Sequence, residues 1–227
     1  MSMLQPSPRH ARGLPEPADV ERPVVLIVDD DAAIREGLSE LISSIGLNPI
    51  GFASTQELLA SWDPDVPGCL ILDVRLPGAS GLDLQHRLAA SGNAKPIIFL
   101  TGHGDIPMTV QAMKAGAVDF LTKPVRDQVL LDAITVALER DRLQRATAEV
   151  ARRNAERLEL LTPRERAVLV EVVRGRLNKQ IAHEFGISVV TVKLHRSNAM
   201  RKMQVATVGE LIRAWETLPA PLRQARG

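Results

Sequence analysis

The sequence predicts an α/β domain, a doubly wound five-stranded parallel sheet, followed by a small all-α domain of four helices. Three observations carry this prediction. From about residue 24 to 140, short apolar runs alternate with amphipathic stretches, which makes five βα units. Beyond residue 160 the strand signals cease, and capping residues with Gly or Pro breakers bracket short helices. The charge divides at the same place. Residues 141–227 hold 17 basic and 9 acidic side chains, a net of +8, and leave −7 on residues 1–140.

The elements follow in order. Val24–Val28 is an apolar strand that runs into Asp29, Asp30 and Asp31. Ile34, Leu38, Leu41, Ile42 and Ile45 recur at helical spacing until Gly46 stops the helix. Ser54 and Glu57 make a capping box for a second helix. Residues 69–72 form a strand closed by Asp73, and Leu82, Leu84 and Leu88 mark the helix after it. Residues 96–100 form a strand ending in Thr101, followed by a helix marked by Val110 and Met113. Residues 118–121 lead to Lys123 and Pro124. A fifth helix begins near Arg126 with Val129, Leu130, Ile134 and Leu138.

Residues 141–160 are charged, rich in alanine and free of Gly and Pro, so they extend the fifth helix. Their apolar positions, Leu143, Val150 and Leu158, with Leu161 beyond, are too sparse for a coiled coil. A solvated connecting helix is the simpler reading than a dimer seam. Next, Thr162, Pro163 and Glu165 supply a cap, a first-turn proline and a box partner for a helix ending at Gly175. Asn178 is expected to cap a short helix ending at Gly186. Ser188 caps another, to about Met203. Thr207 caps a last one that stops before Pro219. The expected layout is a disordered tail at 1–22, an α/β domain at 23–140, a helical linker at 141–160, an all-α domain at 161–219 and a C-terminal tail at 220–227.

Composition removes several classes of function. Hydrophobic residues make up 45% and charged residues 24%, as in an ordinary soluble protein. The single cysteine, Cys69, rules out an intrachain disulfide and suits a reducing, cytoplasmic setting. No apolar run approaches the roughly 18 residues of a membrane span. The proline-rich N-terminus has no apolar core of a signal peptide. No His/Cys spacing suggests a zinc site.

In a parallel α/β sheet, the strand C-terminal ends share one edge, where ligands bind. Asp29, Asp30, Asp73, Thr101 and Lys123 all stand at such ends. Together they make a magnesium-dependent (or manganese-dependent) aspartyl-phosphate site. Asp73 is the nucleophile, because a carboxylate can accept a phosphoryl group. Asp29 or Asp30, Asp73 and the backbone carbonyl of Arg75 offer the oxygen ligands magnesium prefers. Lys123 and Thr101 would hold phosphoryl oxygens. Asp31 reads as the cap of the first helix, and singly each residue is an ordinary turn or surface side chain.

In the basic region, Ile181 and Ala182, then Gly186, then Val192 read as a helix-turn-helix. Val192, Ala199 and Met203 can share an inward face, leaving Lys193 and Ser197 outward with Val190 and Leu194. Lys179, Arg196, Arg201 and Lys202 are candidate contacts to nucleic-acid phosphates.

These motifs carry a resemblance. Val28-Asp29-Asp30, Leu72-Asp73, Leu76-Pro77-Gly78, Thr101-Gly102 and Lys123-Pro124 resemble the receiver of two-component response regulators, a flavodoxin-like fold. The stretch from Thr101 to Pro124 looks specifically like the FixJ branch. Leu161 to Glu165, Asn178 to Ala182 and Thr191 to Arg196 resemble the LuxR-type DNA-binding domain. The resemblance implies that Asp73 accepts phosphate from a sensor histidine kinase. It implies a cis Lys123–Pro124 bond and a switch position at Phe120, where many receivers have tyrosine. A permanently buried core phenylalanine is the alternative reading of Phe120.

Arg75 and His103 then flank the water that removes the phosphate. A phosphorylation-dependent homodimer is expected through Met108, Gln111, Lys114 and Ala115. Lys193, Leu194 and Ser197 face bases of double-stranded promoter DNA, and Lys179 and Thr191 contact its backbone. The implied role is phosphorylation-controlled regulation of transcription, acting on the transcription machinery, and not catalysis for its own sake. An adaptor working by protein contacts and an aspartyl-phosphate phosphoryl-transfer enzyme remain as alternatives.

Overall fold

The computed structural model describes residues 23–61, 63–91, 95–102 and 105–224. The chain forms two compact units that divide between Asp141 and Arg142.

The first unit holds strands β1 (Val24–Val28), β2 (Asn48–Phe52), β3 (Gly68–Leu72), β4 (Ile97–Thr101) and β5 (Asp119–Thr122). All pair in parallel, in the order β2-β1-β3-β4-β5. Helices α1 (Ala32–Ser44), α2 (Thr55–Ser61), α3 (Gly81–Ala90), α4 (Ile106–Lys114) and the start of α5 (Asp127–Glu159) cover the sheet. Every residue of β1, β3 and β4 is buried, because a parallel sheet is covered on both faces. Alternate strand residues feed two cores. Leu26, Leu70, Leu72 and Phe99 pack with Leu84 and Leu88 of α3 and Ala112 of α4. Val25, Ile27, Ile71 and Ile98 pack with Leu38 and Ile42 of α1 and Leu130 and Ile134 of α5. Each such Val, Leu, Ile or Phe side chain contributes about 1.5–3 kcal/mol by leaving water.

Several local expectations change. Ile45 is the C-cap of α1 and is exposed, and Val129 is also exposed. The Ser54 hydroxyl accepts from Glu57 N–H, but the Glu57 carboxylate reaches the N–H of Ala53 rather than that of Ser54. In α4 the expected apolar markers face outward: Val110 is 45% exposed and Met113 42%, and Ile106 beside them is 80% exposed. Met108 and Ala112, one turn apart, pack inward instead. The small Ala112 side chain lets the helix lie close, and its carbonyl accepts 3.1 Å from Gln85 Nε2 of α3.

The second unit contains the end of α5 with α6 (Pro163–Val173), α7 (Asn178–Phe185), α8 (Val189–Lys202), α9 (Val208–Thr217) and α10 (Ala220–Gln224). Thr162 and Glu165 form the expected reciprocal box at α6. Asn178 is not the cap of α7. Leu177 holds that position, and its N–H is satisfied by the Gln180 side chain at 2.8 Å. Gly186 turns the chain with φ 63°, a conformation glycine adopts without strain. Val192, Ala199 and Met203 are buried with Ile181, Leu211 and Trp215, as their spacing predicts. Residues 220–224 are helical rather than tail. Leu222 packs on the core, and its carbonyl accepts from Arg166 Nη2 at 2.8 Å. The four expected helices are therefore joined by α10 and by Leu158 of α5.

Helix α5 is one element of 33 residues. None of residues 142–153 is buried. Arg152 and Arg153 pair with Glu149 and Glu156 along this exposed stretch. Such pairs stabilise a helix by about 0.2–0.5 kcal/mol each.

Candidate functional sites

Strands β1 and β3 lie side by side at the centre of the sheet, where the direction of winding reverses. That reversal opens a crevice at the strand C-terminal ends. Backbone bonds carry the ladder past the strands and hold the site residues: Asp73 N–H to the Val28 carbonyl (2.9 Å), Asp29 N–H to that of Phe52 (3.2 Å), and Lys123 N–H to that of Thr101 (2.9 Å). The Lys123–Pro124 bond is cis, as expected.

Lys123 Nζ donates to Asp29 Oδ2 at 2.5 Å and to Asp73 Oδ2 at 2.7 Å. The other oxygen of Asp29 accepts from Asp31 N–H at 3.1 Å, and that of Asp73 from Arg75 N–H at 3.0 Å. Asp31 caps α1 through Ala33 N–H, as its position predicts. Asp29, Asp73 and Thr101 are buried and Asp30 is exposed. Burial pushes the Asp73 carboxyl up, but the Lys123 ammonium, the Arg75 N–H and the Thr101 hydroxyl outweigh it and hold it below the ordinary carboxylate value. Burial likewise pushes Lys123 down, and Asp29 and Asp73 more than restore it. Asp73 and Lys123 are therefore both charged at neutral pH.

Carboxylate oxygens of Asp29, Asp30 and Asp73 come within 4.8 Å of one another. Three carboxylates against one ammonium leave a net negative pocket of hard oxygen donors. That set fits magnesium or manganese. Arg75 is exposed beside it. His103 lies outside the described residues. Phe120 is half-buried on β5, with its ring centroid 5.9 Å from that of Phe99.

Two contributors carried no sequence signal. Arg35 Nη1 donates to the Asp29 carbonyl at 2.7 Å and steadies the turn after β1. Gly81 opens α3 so close to Asp73 that a Cβ there would meet the Asp73 carbonyl oxygen at 2.3 Å. Both depend on how α1 and α3 pack, not on any local motif.

A second candidate site lies on α8. Val190, Lys193, Leu194, Ser197 and Arg201 are exposed along one stripe, opposite the buried Val192, Ala199 and Met203. Lys179 is exposed on α7. Arg196 is half-buried and donates to Asn178 Oδ1 at 3.1 Å, joining α8 to α7. The Thr191 and Ser188 hydroxyls are 2.8 Å apart at the start of α8. Lys202 departs from expectation. Its Nζ donates to Glu165 Oε2 at 2.6 Å, so it closes α8 onto α6 instead of standing free for phosphate. That bond, with the Thr162 N–H, holds the Glu165 carboxyl below its ordinary value. On α4, Gln111 and Lys114 are exposed and Ala115 is half-buried, whereas Met108 turns inward and leaves the expected contact face.

Comparison with known proteins places both halves. Residues 25–135 match the family described as response regulator receiver domain. Residues 159–214 match bacterial regulatory proteins, luxR family. The chain is 51% identical over 195 residues to Nodulation protein W of Bradyrhizobium diazoefficiens, covering 86% of each chain. It is 43% identical over 193 residues to Transcriptional regulatory protein FixJ of Azorhizobium caulinodans, covering 83% of this chain and 90% of that one. Among solved structures, response regulator StyR superposes with a TM-score of 0.75 at 46% identity, over 86% of this chain and 98% of that one. No helix among the described residues is long and apolar enough to cross a membrane.

Proposed function

Because this chain belongs to the FixJ-type response regulators, which join a receiver to a LuxR-type DNA-binding domain and control transcription by phosphorylation, we propose that Asp73 is its phospho-acceptor and α8 its DNA-reading helix. The observation that carries the first assignment is the Lys123 ammonium shared between Asp29 and Asp73 beside the exposed Asp30. A sensor histidine kinase supplies the phosphoryl group. A carboxylate oxygen of Asp73 forms the new O–P bond as the P–N bond to the donor histidine breaks. A divalent cation held by Asp29, Asp30, Asp73 and the Arg75 carbonyl supplies charge neutralisation when bound.

Lys123 follows the charge. It is already ionised and within reach, so it transfers from the Asp73 carboxylate to phosphoryl oxygens. Thr101, fully buried at the end of β4, donates its hydroxyl to another oxygen. Movement of Thr101 and of Phe120 then repositions α4, whose exposed face contributes to a phosphorylation-dependent homodimer. Arg75 and His103 set the lifetime of the phosphate by controlling water. In the second unit Lys193, Leu194 and Ser197 read bases, and Lys179, Thr191, Arg196 and Arg201 hold the backbone. The protein acts in the cytoplasm, where the dimer presents bound promoter DNA to the transcription machinery.

The test is DNA binding to promoter fragments with and without acetyl phosphate and magnesium. Salt-sensitive specific binding that strengthens on phosphorylation is the expected result. Phosphorylation without any specific DNA binding would favour an adaptor.

A further inference from the structure

The face of α5 that packs on the receiver follows one stripe: Leu130, Ala133, Ile134, Ala137 and then Asp141. The first four are apolar, as a buried helical face requires. The fifth is a carboxylate, yet it is only 6% exposed. Its Oδ2 accepts the N–H of Gly68 at 2.9 Å, within the receiver. Gly68 is the first residue of β3, the strand that ends at Asp73. Only glycine serves at that position, since its φ is +150° and a Cβ would lie 1.9 Å from the Val24 carbonyl oxygen. Lys95, equally buried, donates to the Val66 carbonyl at 2.5 Å beside the same strand end.

A buried carboxylate is costly to place in a core unless it meets donors. An apolar side chain would continue the stripe more cheaply. The carboxylate instead makes a directional bond to the Gly68 N–H, and does so at the last buried position before the stretch 142–153, where no residue is buried. The other end of that stretch has a matching feature in its own unit: Asn154, 4% exposed, donates from Nδ2 to Thr217 Oγ1 at 2.9 Å. The exposed segment of α5 is thus bounded by two buried polar anchors.

We propose that Asp141 is a positioning residue that ties the linker helix to the root of the phospho-acceptor strand, so that the state of the receiver reaches the DNA-binding unit through a helix that cannot fray at its exit. Asp141 stands at the opposite end of β3 from Asp73. It therefore acts on transmission of the signal and not on the phosphorylation chemistry. The proposal rests on the reading of Asp73 and α8 given above.

The experiment uses the full chain as wild type, Asp141→Ala and Asp141→Asn. Phosphorylation by acetyl phosphate is followed directly. DNA affinity is measured with and without it, on a fragment selected by the wild type from a random pool. Amide hydrogen exchange is read at Gly68 and across residues 142–153. In Asp141→Ala, phosphorylation should proceed as in wild type. The ratio of phosphorylated to unphosphorylated DNA affinity should fall towards one. Exchange at Gly68 and along the linker should quicken about tenfold or more, as for a locally released segment. Asp141→Asn keeps an acceptor for Gly68 and should retain part of the ratio, which serves as the test should the alanine variant not fold. A wild-type ratio in both variants overturns the proposal, and so does loss of phosphorylation together with the ratio. A ratio of one in the wild type itself would instead refute the functional reading. Linker exchange would then judge the anchor alone, with an unchanged rate overturning it.

Discussion

Lys123 and Asp73 stand 50 residues apart in the chain, yet the ammonium of one lies 2.7 Å from the carboxylate of the other. The same ammonium lies 2.5 Å from Asp29. One ammonium thus sits between two buried carboxylates, and it helps to hold Asp73 below the ordinary carboxylate value. Asp73→Asn should abolish phosphorylation by acetyl phosphate, and persistent labelling would move the acceptor elsewhere. Lys123→Ala should raise the Asp73 pKa, because its principal counter-charge is gone, and should reduce the DNA response more than phosphate uptake. Carbon NMR of the Asp73 side chain across a pH titration reads the first effect.

The pH dependence of the DNA-binding unit follows from Glu165, whose pKa in the folded chain is depressed by Lys202 and Thr162. A depressed pKa stabilises the fold above the ordinary glutamate value, and that stabilisation disappears as pH falls through the folded value. Wild type should therefore lose its advantage over Glu165→Gln on acidification, and the two thermal midpoints should converge. Midpoints that stay equally far apart at every acidic pH would deny the ion pair its role. Thr162→Ala should cost about 1 kcal/mol at neutral pH, as a lost helix cap does.

Ile106, Val110 and Met113 form an exposed apolar stripe on α4, and Gln111 and Lys114 flank it. Val110→Glu should block phosphorylation-dependent association while leaving phosphorylation intact, because a charge opposing its own copy is destabilising across a two-fold contact. Met108→Ala should instead lower receiver stability, since Met108 packs inward. Sedimentation of both variants with beryllofluoride and magnesium separates these outcomes. A Val110→Glu protein that still dimerises would place the contact elsewhere.

On the DNA side, Lys193→Ala should lower specific affinity by about 1–3 kcal/mol and relax preference at one position in each half-site. Lys179→Ala should weaken operator and random DNA alike and flatten the salt dependence. Lys202→Ala should destabilise the unit with little change in salt slope, because Lys202 is already bonded to Glu165. Titrations at several salt concentrations distinguish the three. An unchanged base preference in Lys193→Ala would make that side chain a backbone contact.

The candidate phosphorylation site, as a cluster of side chains, was legible in the sequence because its chemistry sits at strand ends. Val28-Asp29-Asp30, Leu72-Asp73, Thr101 and Lys123 each close an apolar run, and parallel pairing alone collects such ends at one edge. The inward face of α8 was legible for a similar reason, since Val192, Ala199 and Met203 keep helical period. Local pattern could not rank competing faces. In α4, Val110 and Met113 are apolar enough to be core, but a small residue, Ala112, lies against α3, where the Gln85 side chain donates to its carbonyl, and packing volume chose it. Lys202 reads as one more surface cation until α6 brings Glu165 beneath it. Gly81 and Arg35 owe their roles to the way a strand end folds back beside the helix that follows it, and Asp141 to a backbone 73 residues away. Periodicity and end chemistry are one-dimensional and determined the two folds and the Asp73 pocket. Close approach, counter-charge and the choice between equally apolar faces are three-dimensional, and only the packed chain decided them.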